Sequence, residues 1–192
     1  MTTRDVVQDI VKHTAGLGFI TNVRVTGTAD ETRLDAMDGD RTVILQATLH
    51  NPVADFEGEF GLGNLGFLSG VTNLANYQGA DASVEVVSRE RNGVDVPDHL
   101  LFKDVEGNTD RYRFMSKEII EQTLQTVKFK GAEWDVTFEP TKQKVSELQQ
   151  VAGIYGGIEP NFTVKTEDGN LIVTVGAADG SFTGKRTFAK NV

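Results

Sequence analysis

The chain contains no cysteine, which excludes disulfide bridges and thiolate metal centres. Its three histidines, His13, His50 and His99, are scattered with no ligand spacing, which argues against metal catalysis. No apolar run reaches the roughly 18 residues that a membrane-spanning helix needs. The opening MTTRDVVQDI lacks the apolar stretch of a secretory signal. These absences fit a cytoplasmic protein with no membrane partner. A catalytic constellation is missing too: no serine lies in a G-x-S-x-G context, no histidine is placed as a base, and no carboxylate pair stands out. The expectation is a protein that is not an enzyme and needs no cofactor or metal. Positive charge is also scarce. With 19 Lys and Arg against 28 Asp and Glu, the net charge is -9, the opposite of an ordinary DNA-binding domain.

What is present is enough for a real core: 192 residues, 39% of them hydrophobic, allow one or two domains. Two stretches read alike. TRDVVQDIVKHTAGLGF, from Thr3, precedes NVRV and RLDAMDGDRTVILQATL; TKQKVSELQQVAGIYGG, from Thr141, precedes FTVK and EDGNLIVTVGAADGSFTGKRTF. Each predicts a polar-faced helix, an alternating strand, an Asp-Gly turn and a further alternating strand, the pattern of a duplicated scaffold.

The distribution of charge says more than its sum. On the first helix Arg4, Gln8 and Lys12 recur at i, i+4 and i+8, opposite a core stripe of Val6, Val7, Ile10 and Val11. On the second, Lys142 and Lys144 open the polar side, while Val145, Leu148, Val151 and Ala152 form the apolar one. Any single such cation ordinarily means no more than solubility. The acidic excess lies mostly elsewhere, in clusters such as Asp35, Asp38 and Asp40, or Glu133, Asp135 and Glu139.

Between the helices the chain reads as β-rich. Asp38-Gly39, Asn92-Gly93, Glu106-Gly107, Asp168-Gly169 and Asp179-Gly180 mark turns. Alternation over Thr42–Leu49, Ser83–Arg89, Arg111–Met115 and Leu171–Val175 predicts antiparallel sheets with one wet face. A third helix is expected over Leu62–Asn76, with Leu65, Leu68, Val71 and Leu74 along one side. Its glycines predict close packing on a sheet or only partial helicity. KEIIEQTLQT, from Lys117, suits a short amphipathic helix, and VKFKGAEWDVTFEP an extended connector. The connector carries Trp134, a core plug or an anchor for a partner.

Gly61-Leu62-Gly63-Asn64-Leu65-Gly66 matches G-x-G-x-x-G, opens a helix and precedes the strand SVEVVSRE, with Arg89 or Glu90 near the place of a ribose contact. Against a dinucleotide site stand the half-polar DFEGEF before it, the missing further βα units and the hairpin-rich flanks.

Residues 53–75, containing LGNLGFLSGVTNL, resemble the first-domain helix of the sliding clamps encoded by large tailed bacteriophages. RDVVQDIVK and TKQKVSELQQVAGIYGGIEPNFTVKTEDGNLIVTV resemble the first and third helices of those clamps with the following hairpin. The resemblance implies an α+β DNA-clamp fold: antiparallel sheets outside, helices lining a central hole, and three protomers closed head-to-tail into a ring. It implies a first clamp domain at 1–116, a connector with the first strand at 117–140, and a partial second domain at 141–192. The second copy ends just after the counterpart of Thr42–Leu49, whereas the family's second domain repeats the whole of the first.

The resemblance further implies a ring that encircles double-stranded DNA without reading its sequence and tethers the replicative DNA polymerase, in the cytoplasm of an infected bacterial host. A clamp loader would open it. Arg4, Lys12, Lys142 and Lys144 match positions of basic residues facing the hole, with Lys128 and Lys130 aligned less closely. A polymerase tail would dock near Val127, Phe129 and Trp134. Two other classes share these features in part: a β-rich phage virion or structural protein, and a dinucleotide-binding enzyme through Gly61, Gly63 and Gly66.

Overall fold

The computed structural model describes residues 2–124, 131, 133–158, 160–176 and 180–192. The chain forms two compact units, Met1–Lys128 and Phe129–Val192.

The first unit opens with α1 (Thr3–His13). Thr2 caps it: its hydroxyl oxygen accepts the Asp5 N–H at 3.2 Å, and the Asp5 carboxylate accepts the Thr2 N–H at 2.8 Å. That backbone hydrogen bond holds the Asp5 carboxyl below its ordinary pKa. Val6, Val7, Ile10 and Val11 are buried as the periodicity predicts. β1 (Val23–Gly27), β2 (Thr32–Met37) and β3 (Ile44–Thr48) follow as an antiparallel meander. β4 (Gly58–Leu62) returns to the other side of β1, giving the order β3-β2-β1-β4. α2 (Leu65–Thr72) then leads into a second sheet, β5 (Ser83–Arg91), β6 (Val94–Lys103) and β7 (Thr109–Arg113). One core runs through the unit, from Val6 and Ile10 of α1 through Phe56, Phe60 and Leu68 to Leu100, Phe102 and Phe114. Phe60 stacks on Phe114 with ring centres 4.4 Å apart.

α3 (Lys117–Thr123) belongs to this unit, although its residues were expected to open the connector at 117–140. Ile120 is fully buried against β4 at Gly61, and Lys117 pairs with Glu59 at 2.8 Å.

The second unit repeats the opening order once: α4 (Lys142–Tyr155), β8 (Phe162–Glu167), β9 (Asn170–Val175) and β10 (Gly184–Lys190), with the sheet order β10-β9-β8. Thr141 caps α4 by accepting the Lys144 N–H at 3.2 Å. Only Val151 of α4 is buried; Leu148 is half-buried, and Val145 and Ala152, expected on the apolar face, are exposed.

Helix followed by three antiparallel strands therefore occurs three times, as α1-β1-β2-β3, α2-β5-β6-β7 and α4-β8-β9-β10. The middle copy escapes the sequence because α2 has no polar face, only eight residues of the fifteen expected as helix, and glycines at 66 and 70 that touch no neighbour. The glycines mark partial helicity, not close packing.

The turns follow two mechanisms. Asn92-Gly93 and Asp168-Gly169 take positive φ at both residues, 52° and 78° in the first pair and 50° and 69° in the second, as tight hairpins require. At Asp38-Gly39 the positive φ falls instead on Arg41, and the Asp38 carboxylate closes a wider loop by accepting the Thr42 and Val43 N–H groups, each at 2.8 Å. Asp104 does the same beside Gly107, accepting the N–H of Glu106 at 2.9 Å and of Asn108 at 2.8 Å. Of the fifth pair, Asp179 lies outside the described residues.

Candidate nucleic-acid interface

The basic residues singled out on the helices do not have equal freedom. Arg4 is half-buried. Its guanidinium donates to the carbonyls of Tyr77, Gly79 and Ala82 at 3.4, 2.5 and 3.4 Å, so it ties α1 to the chain after α2. Lys12 is exposed and forms no ion pair among the described residues. It edges a shallow depression between α1 and α2, shared with Gln8, Ser69, Asn73 and Gln78. Gln8 donates to the Gln78 amide oxygen at 3.4 Å, and the Gln78 amide donates to the Thr72 carbonyl. This face is polar and weakly charged: one free lysine among amides and hydroxyls. Asp9 on the same helix lies 3.4 Å from the His13 imidazole.

The second unit shows the same contrast. Lys142 is exposed at the start of α4 and has no ion pair among the described residues. Lys144 is held by Glu147 at 3.0 Å, and Glu147 also meets Arg186 of β10 at 3.5 Å. Of the six proposed DNA-facing cations, Lys12 and Lys142 present unpaired charge. Arg4 and Lys144 have local partners, and Lys128 and Lys130 lie outside the described residues.

Val127 and Phe129, two of the three expected partner-binding residues, also lie outside the described residues. Trp134 is 72% exposed, which places it on the surface of the second unit and not in its core. Sequence reasoning missed a different concavity, in the first unit: about 260 Å3 between α1 and β3, lined by Val6, Ile10, Leu34, Leu45 and Leu49. His13 and His50, far apart in sequence, both border it. Only the pairing of β3 beyond β2 brings His50 to the end of α1, and no local pattern announces that. Among the described residues no cluster of three metal-binding side chains occurs.

A second group lies on the second sheet of the first unit. Asp98 receives His99 Nδ1 at 3.0 Å, Arg89 at 3.3 Å and Arg113 at 3.7 Å. Partial burial pushes its pKa up, but the His99 hydrogen bond and the two guanidiniums outweigh it and keep the carboxyl ionised below its usual range. The arginines are spent on this carboxylate, which makes the cluster a clasp between β5, β6 and β7.

The G-x-G-x-x-G segment is not a phosphate cradle. Gly61 lies inside β4, which runs antiparallel to β1, whereas a dinucleotide site needs a parallel sheet. A side chain at Gly61 would meet Ile120 at 2.8 Å, and one at Gly63 would meet Met115 Sδ at 2.5 Å. The Leu65 N–H donates to the Thr21 carbonyl at 3.3 Å. Close packing within the protein accounts for Gly61 and Gly63.

The arrangement suits weak contact with an extended anion: isolated lysines on helix faces, amide neighbours able to hydrogen-bond, and an acidic remainder. Nothing in it offers a nucleophile with a base.

No protein-family model matches the chain, and no curated protein matches it. Among solved structures, the chain is similar to the PCNA of Thermococcus kodakaraensis, at 12% identity and a TM-score of 0.53. The match covers 94% of this chain and 70% of that one. At such identity it is the fold that is shared. The α+β clamp fold expected from the sequence is the fold observed.

Proposed function

We propose that this chain is a protomer of a sliding clamp of the type encoded by large tailed bacteriophages. Three copies close head-to-tail into a ring around duplex DNA and tether the replicative polymerase in the cytoplasm of the infected host. The observation that carries this reading is the clamp fold running through nearly the whole chain, with repeated helix-and-three-strand modules whose helices expose a sparse set of lysines.

The charge pattern follows from the task. A ring that slides must hold the duplex without gripping it. A few phosphate contacts and no base readout give weak, sequence-independent attraction, and topology supplies the residence time. In this reading Lys12 and Lys142 are the principal phosphate contacts, with Lys144, Lys128 and Lys130 secondary. Arg4 braces the helix that carries Lys12. The acidic remainder of net charge -9 repels DNA from other surfaces. Such a protein catalyses nothing itself; a clamp loader opens the ring, and the polymerase docks through the segment of Val127, Phe129 and Trp134.

Light scattering tests the assembly: a particle of about three times 20.9 kDa is expected. With the cognate loader, the protein remains on nicked circular DNA and is lost when that DNA is linearised. The double variant K12E/K142E keeps its mass and circular dichroism but loses processive synthesis. A strict monomer never retained on circular DNA would sink the reading and favour a β-rich structural protein.

A further inference from the structure

The two units treat equivalent strands differently. In the first, β1 is covered on its outer side by β4, in the register Val23↔Leu62, Val25↔Phe60 and Thr26↔Glu59. α2, which follows β4, packs beside α1, and Val23 and Val25 are wholly buried. In the second unit β8 takes the place of β1. Phe162 and Val164 lie opposite Val175 and Val173 of β9, as Val23 and Val25 lie opposite Ala36 and Leu34 of β2. Yet β8 is an edge strand: Phe162 is 61% exposed and Val164 49%. Ile154 of α4 and Ile158, before β8, are exposed as well.

The backbone of that edge is open in a defined phase. The Gly176 N–H donates to the Asn161 carbonyl at 3.1 Å, which makes 161 and 176 a bonded pair. Antiparallel alternation then turns the N–H and C=O of Thr163 and Lys165 toward β9, and those of Phe162, Val164 and Thr166 outward. On the face away from α4, Lys165 and Lys185 share one carboxylate, Glu167, at 3.3 and 2.9 Å. Two cations on one anion leave that edge positive.

We propose that β8 takes up a strand-and-helix segment from another polypeptide, antiparallel to it, as β4 and α2 cover β1. The register of the first unit carries over and defines the partner. An acidic residue stands opposite Lys165, where Glu59 stands opposite Thr26; a large apolar residue follows opposite Val164, and another two positions later opposite Phe162. An apolar-faced helix then covers the strip. The order acid, apolar, any, apolar is that of Glu59-Phe60-Gly61-Leu62. Pairing two β8 strands of separate copies about Val164 would set Lys165 against Thr163 and supply no acid, so the chemistry favours a different partner strand.

The probe is a fluorescent synthetic peptide with the sequence of residues 58–73, titrated with the full-length protein and read by anisotropy. Saturable binding in the micromolar range is expected. Val164→Pro removes an outward N–H and an apolar side chain while sparing the β9 ladder, and weakens binding about tenfold or more. Lys165→Glu weakens it about fivefold, and a peptide carrying Glu59→Lys restores it. No saturable binding to the unmodified protein, undiminished binding by Val164→Pro, or no rescue by the reversed pair overturns the proposal. So does a dimer of the protein alone that Val164→Pro dissociates. Should Val164→Pro lose its β-sheet circular dichroism, the charge-reversal pair decides.

Discussion

The first and second units begin with the same module and reach different degrees of closure. In the first, α1 buries Val6, Val7, Ile10 and Val11 because β4, α2 and the second sheet complete the enclosure. In the second, α4 buries Val151 alone, and the core shrinks to Val151, Val173 and Val175 with Leu148, Tyr155 and Phe188 packed at its margin. A three-stranded sheet under one helix has too little interior to hide the apolar residues its pattern supplies. The stability of a module is thus set less by its own sequence than by what covers the outer edge of its first strand.

The sharpest break between the units comes from matched truncations. Phe60→Ala removes a buried ring stacked on Phe114 and is expected to cost about 3–5 kcal/mol, whereas Phe162→Ala should change stability by less than about 0.5 kcal/mol. Urea unfolding followed by circular dichroism separates the two; equal losses would mean that β8 is already covered in solution. Next in size is Gly61→Val. The added side chain would strike Ile120, lift α3 from β4, and cost about 1–3 kcal/mol. Retention of full thermal stability would refute that packing role.

Arg4→Ala leaves three carbonyls of the first unit without their donor and should cost about 1–2 kcal/mol, while Lys142→Ala, on an exposed helix start, should be neutral to folding. The same pair inverts in DNA retention, where Lys142→Ala is the more damaging. Asp104 offers a pH test. Hydrogen bonds from Asn76 and then Asn108 pull its pKa from 3.8 to about 2. Its stabilisation is therefore complete above 3.8 and is lost as pH falls toward about 2, because the unfolded chain takes up the proton first. Asp104→Asn should flatten the acid limb of the melting-temperature profile; an unchanged limb would assign it to other carboxylates. The smallest effect belongs to the Lys144–Glu147 pair of the second unit, where Lys144→Ala should cost about 0.2–0.5 kcal/mol, further reduced by salt.

Much of this contrast was visible as pattern and invisible as geometry. The spacing of Val6, Val7, Ile10 and Val11 is sufficient for α1, and Asn92-Gly93 and Asp168-Gly169 for their hairpins, because each depends on neighbours within a turn. The middle module was illegible: α2 is apolar on too many sides to show a helical stripe, and β4 before it carries glycines that mimic a nucleotide loop. Arg4 and Lys12 look equivalent along the chain, three-dimensional neighbours being the only thing that distinguishes them. Arg4 finds the carbonyls of Tyr77, Gly79 and Ala82 more than seventy positions away. His13 and His50 became neighbours only through the pairing of β3 with β2.

Sequence alone determined the helices, the hairpin turns, the antiparallel character and the acidic balance, since local propensity and alternation encode them within a few residues. Tertiary structure decided which cations are free, which glycines serve packing, and which of two like strands is buried. Those outcomes depend on long-range register: β4 reaches β1, and nothing among the described residues takes the corresponding edge of β8.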